Sequence, residues 1–192
     1  MAPDDRPAVY VYGESLGAYG SQAAFAGRGV AGLQRVSGAL WIGPTAASGF
    51  RTELLADAFA GPAREPIVGG GIVVRFANDA AGLRGRRQQW GPVRVAYLQH
   101  ATDPVVWFSP SLAWSHPQWL REAPGPGVPS HMVWRPLLTF EQVLMDLPMA
   151  SSAAAGYGHD YDADVPLAWL EIARPEGWEH DDTERMLQIL NQ

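Results

Sequence analysis

The residues most able to do chemistry are three, far apart in the chain: Ser15 in "GESLG", Asp103 in "QHATDPVV" and His159 in "GYGHDYD". A serine hydroxyl becomes a nucleophile when an imidazole takes its proton and a carboxylate holds that imidazole in the right tautomer. Gly-x-Ser-x-Gly alone is weak, because a chain with 21 glycines supplies one by chance in about one sequence in ten. It gains weight between a strand and a helix, where the tight turn strains the serine backbone and glycines remove Cβ clashes. The amide of Leu16, first in the helix, is then placed to stabilise an oxyanion. The order Ser15, Asp103, His159, with separations of 88 and 56 residues, is the order used by hydrolases built on such an elbow. Each residue also has a plain structural role open to it: Ser15 as a helix cap, Asp103 as a turn starter before Pro104, His159 as a loop histidine.

Other histidines fit the base less well. His100 precedes the acid and is expected to line the pocket with Trp107 and Phe108. His116 and His131 lie in a Trp- and Pro-rich stretch as packing or surface groups, and His180 belongs to a helix start. Asp160 and Asp162 adjoin His159 too closely in sequence to reach its far nitrogen. With Asp164 they lack the glycine and closing glutamate of a calcium loop, so no metal is expected. "GGGIVV" at 69–74 lacks the Lys-Ser/Thr of a phosphate loop. No cofactor is implied.

The elements that must hold these residues read as an α/β layered domain with a mostly parallel sheet. "AVYVY", residues 8–12, is a strand apolar enough to be covered on both faces, followed by a helix over 16–26. "GALWIGP" is a second buried strand and "GPVRVAYLQH" a third, which puts Asp103 just beyond a strand end, where parallel sheets keep functional loops. Helical spacing runs through 50–59, with Phe50, Leu54, Leu55 and Ala58 on one face. It recurs at 138–147 and again at 182–190, with Met186, Leu187 and Leu190 inward. Residues 61–90 read as a surface excursion with one short strand at 72–76, and 107–136 as a cap-like, aromatic excursion suited to an apolar acyl group.

With 192 residues, 47% of them hydrophobic, the chain suits one domain over 1–192. A net charge of −6, with basic clustering limited to "RGRRQ", argues against a nucleic acid or an anionic membrane surface as partner. All fourteen basic residues are arginine, a composition bias without functional content. The absence of cysteine excludes thiol nucleophiles and disulfides. No leader-like or membrane-spanning run is present, so the chain as given is expected to be soluble, in a compartment the sequence does not specify.

The stretches "VYVYGESLGAYGSQAAF", "GALWIGP", "RVAYLQHATDPVVWFSP", "WLREAPGPGV", "WRPLLTFEQV" and "GYGHDY" resemble the C-terminal catalytic region of an actinobacterial α/β-hydrolase family. Its members carry an N-terminal membrane portion, so longer relatives are expected at the membrane. The resemblance runs from about Pro7 to about Tyr161 and implies Ser15 as nucleophile, Asp103 as acid and His159 as base. It implies a serine hydrolase of a small-molecule or lipid-like acyl ester. Alternatives are an acyltransferase with the same triad, or a weak hydrolase fragment serving as a binding or regulatory module. The strands that precede the nucleophile strand in this fold, and the loop giving a second oxyanion amide, are expected to be missing. The first strand would then be a sheet edge open to self-association.

Overall fold

A computed structural model describes residues 7–56, 58–84 and 89–190. Most of the basic cluster "RGRRQ" therefore lies outside the described residues. In chain order the elements are β1 (Tyr10–Glu14), α1 (Leu16–Gln22), α2 (Gly29–Gly32), β2 (Gly38–Ile42), α3 (Gly49–Ala56), β3 (Ala58–Ala60), β4 (Ile67–Val68), β5 (Val74–Ala77) and β6 (Arg94–Leu98). They continue with α4 (Pro104–Trp107), α5 (Leu138–Asp146), α6 (Asp164–Ala173) and α7 (His180–Leu190), with short 3-10 turns between them.

The described strands form one sheet in the order β1-β2-β6-β5-β4-β3. β1, β2, β6 and β5 run parallel, while β4 and β3 add an antiparallel edge. β2 shows why its sequence is continuously apolar. Ala39 and Trp41 enter a core with Phe25, Phe50, Phe76 and Tyr97 on the side of α1 and α3. Leu40 and Ile42 enter another with Ala96, Leu98, Ala168 and Ile172 on the side of α6. A strand sandwiched between two helical layers needs apolar residues on both faces.

The first strand differs from expectation. It begins two residues later and continues through Gly13 and Glu14, because its ladder with β2 pairs Glu14 with Ile42 and carries the chain up to Ser15. It is not covered on both faces. Among the described residues β1 is an edge, and Tyr10 and Tyr12 are exposed at 41% and 46%, leaning on Trp169 of α6.

The 61–90 stretch is also corrected. It is not an excursion over the surface, since β5 is buried along its whole length and pairs with β6 inside the sheet. The strand expected at 72–76 overlaps β5, but glycine, proline and arginine around it masked its place inside the sheet; Arg75 within it is buried with its guanidinium on the ring of Trp90 and the carbonyls of Gly71 and Leu83. α3 ends at Ala56, so Ala58 starts β3 instead of closing a helical face. On α7, Met186 and Leu187 are half-buried; the side chain of Leu190 lies outside the described residues. Among the described residues no helix is long and apolar enough to cross a membrane.

Candidate active site

β1 delivers the chain to Ser15, whose backbone takes φ 53° and ψ −117° before α1 begins. A non-glycine residue held there stores about 1–3 kcal/mol and persists because its surroundings fix it. Two bonds do so: the Ser15 N–H donates to Ile42 O at 2.9 Å, and Ser15 O accepts from the amide of Tyr19 at 3.1 Å. The two glycines of the motif are unequal. A Cβ on Gly13 would lie 2.6 Å from Gly17 O and 2.7 Å from Ala18 Cα, so α1 can fold back over β1 only if that residue is glycine. A Cβ on Gly17 would meet no described atom within 4 Å. Ser15 itself is half-buried, and Leu16 is exposed.

Asp103 is fully buried where the chain leaves β6. Its plain role is real, since Oδ1 accepts from the Val105 amide at 2.9 Å and caps α4, with Pro104 at the first position. The other oxygen, Oδ2, lies 2.7 Å from His159 Nδ1 and accepts from Tyr161 Oη at 2.9 Å. The loop bearing His159 is tied to the loop bearing Asp103. The Gly158 amide donates to Thr102 Oγ1 at 2.9 Å, and Gly158 O is 3.0 Å from His100 Nδ1. From below, the His159 amide donates to Ala150 O at 2.8 Å.

The other ring nitrogen of His159, Nε2, is buried and has no hydrogen-bond partner among the described residues, Ser15 Oγ included. Catalytic hydrogen bonds are often long before substrate arrives. Burial pulls the imidazole pKa down, but the hydrogen bond and charge of Asp103, helped by Glu14, outweigh it and the net shift is upward. Serine and histidine meet the same turn of β2: the Ser15 amide is bonded to Ile42 O, and a Cβ on the next residue, Gly43, would fall 2.3 Å from His159 Cε1 and 3.0 Å from Asp103 Oδ2. Gly43 has φ 50° and leaves the space that the imidazole fills.

The three predicted pocket residues separate. Trp107 lines a cavity of about 200 Å³ with Trp119, Val128, Met132, Val143 and Asp103. Phe108 does not; it packs on Phe140 at 5.6 Å. His100 does not either. It is 1% exposed, stacked on Tyr161 at 3.9 Å, with Nε2 3.5 Å from Asp164 Oδ2, so it buttresses the His159 loop. His116 stacks on Trp134, and His180 lies 3.4 Å from Glu184 on an exposed helix. No group of three His, Asp or Glu able to hold a metal occurs among the described residues.

Gly43, Thr102 and Tyr161 were not marked by the sequence. Gly43 carried a signal, a glycine directly after the buried strand next to the elbow strand, but it also served as an ordinary strand stop. Nothing local distinguishes Thr102 or Tyr161.

A family model described as an alpha/beta-hydrolase family matches residues 1–186. No curated protein and no solved structure matches the chain.

Proposed function

The chain belongs to this alpha/beta-hydrolase family, and on that premise we propose that it is a serine hydrolase of an ester or similar acyl substrate, acting through Ser15, His159 and Asp103. One observation carries the proposal: His159 has Nδ1 bound to a buried carboxylate at 2.7 Å and Nε2 unpartnered, and its ring lies against Gly43, next to the Ile42 carbonyl that binds the Ser15 amide.

Ser15 Oγ attacks the acyl carbonyl while His159 Nε2 takes its proton. The carbonyl oxygen becomes an oxyanion, to which the Leu16 amide donates. The C–O bond to the leaving alcohol then breaks, and the alcohol takes the proton from His159. Water repeats the sequence on the acyl-serine, releasing the acid and restoring the serine. Asp103 holds the Nδ1–H tautomer and stabilises the imidazolium in both halves. The cavity beside Trp107 and Trp119, within the cap-like 107–136 stretch, supports a neutral apolar acyl chain.

A fluorophosphonate probe tests the chemistry without a known substrate. Wild type should be labelled at Ser15, and Ser15→Ala or His159→Gln should cut labelling by at least about a thousandfold. A folded wild type that stays unlabelled overturns the proposal.

A further inference from the structure

Tyr161 is 1% exposed, and its hydroxyl sits at a junction. It accepts from the buried His100 amide at 2.8 Å and donates to Asp103 Oδ2 at 2.9 Å, the oxygen that also holds His159 Nδ1. The direction is forced. The amide can only donate, so the phenol proton is left for the carboxylate. The ring is fixed from two sides, stacked on His100 at 3.9 Å and edge-on to His159 at 5.8 Å.

We propose that Tyr161 is a positioning residue that sets both the orientation of the acid and the basicity of His159. This inference rests on the roles proposed above for Asp103 and His159. A carboxylate with a single donor on Oδ2 would hold more charge for the imidazolium and could swing about its Cβ–Cγ bond. A second donor on the same oxygen withdraws part of that charge and, with the Val105 amide on Oδ1, leaves the carboxylate one orientation. The base is thereby kept from binding its proton too tightly to give it up at neutral pH. The phenol remains the donor, because burial and the neighbouring Asp103 charge push its own pKa well above 10. His159 and Tyr161 are two residues apart, so one short loop carries both the base and the donor that tunes it. The titratable groups around Tyr161 are Asp103, bonded to its hydroxyl, and the imidazoles of His100 and His159 against its ring, with Asp164 and Arg51 farther off.

The experiment titrates the His159 imidazole by ¹⁵N NMR, assigned by comparison with His159→Gln, and measures fluorophosphonate labelling across the same pH range. Tyr161→Phe should raise the His159 midpoint by roughly half a pH unit or more. Its plateau labelling rate should fall about tenfold. A difluorinated tyrosine placed at 161, whose hydroxyl is a stronger donor, should lower the midpoint while keeping the plateau. A Tyr161→Phe protein that folds with the wild-type midpoint and rate overturns the inference. If that variant does not fold, a midpoint unmoved by fluorination overturns it. The hydrolase proposal fails separately: it falls if wild type is never labelled, whereas the tuning of His159 is still decided by the titration.

Discussion

A single carbon added at Gly43 would reach to 2.3 Å from His159 Cε1, inside the ring's own van der Waals envelope. The imidazole must then leave its place or β2 must back away, and in either case the Ser15–His159 geometry changes. Displacing a reacting group by about 1 Å can cost a hundredfold in rate, so Gly43→Ala should reduce Ser15 labelling at least about a hundredfold. Gly69→Ala is the control, because Gly69 has a similar φ of 54° and no described atom within 4 Å of its added Cβ. It carries the same backbone strain without the clash, and labelling should stay within about twofold of wild type. Equal losses in both variants would refute the steric explanation. The proposed role of His159 as base also predicts a pH profile. In that role it must be neutral to accept the serine proton, so labelling should rise with pH through its pKa, which is raised above the ordinary 6.5. Glu14 contributes to that rise, and Glu14→Gln should move the midpoint downward. Glu14 is exposed and screened, so the movement is small and is greatest at low salt. An upward movement, or none below about 20 mM salt, contradicts this assignment.

The elbow works as a unit of β1, Ser15 and α1, and its two glycines predict opposite outcomes. Gly13→Ala forces a Cβ into the backbone of Gly17 and Ala18, neither of which can yield without moving α1, and should destabilise the protein by roughly 2 kcal/mol or more. Gly17→Ala places a methyl in open space on a helix, where alanine is preferred, and should stabilise it by about 0.5 kcal/mol. Denaturant midpoints of the two variants check this, and a destabilising Gly17→Ala would be inconsistent with it. These elements also show how far the sequence carries. β2 was legible because burial on both faces leaves an unbroken apolar run, and the elbow because a strand runs into a glycine with no room for a Cβ, Gly13, and then a serine at the helix start. β5 was legible only in part: the strand expected at 72–76 overlaps Val74–Ala77, but a buried arginine within it and Gly- and Pro-rich flanks gave no sign that it lies inside the sheet. α6, Asp164–Ala173, is not among the elements the sequence pointed to; it carries Pro166, which a first helical turn tolerates but which reads locally as a helix breaker. Asp103 and His159 were legible as candidates because loop positions after strands are where such groups are carried. The donor from Tyr161 was not, since its partner is 58 residues away and nothing local encodes that contact.

Across the whole molecule, the proposed site draws on residues 15, 43, 103 and 159, so its surroundings come from both ends of the chain. Those surroundings are acidic. Glu14 precedes Ser15 and Asp160 follows His159. Both line a groove with Asp162, Tyr12 and Trp169, in which no cationic side chain appears among the described lining residues. The net charge of −6 adds a long-range field of the same sign. An approaching anion is repelled by both, and the low exposure of Asp103 and His159 leaves little water to screen it at close range. A neutral ester meets no such barrier. For two p-nitrophenyl esters of equal acyl length, one ending in methyl and one in carboxylate, kcat/KM should favour the neutral ester by about tenfold at low salt. The field explanation makes a sharper demand on salt. Raising NaCl from about 20 to about 500 mM shortens the screening length several-fold, so part of the discrimination should disappear, chiefly through a faster reaction of the anionic ester. If the ratio is instead unchanged by salt, preference comes from the apolar lining around Trp107, and the acidic groove has no part in substrate choice.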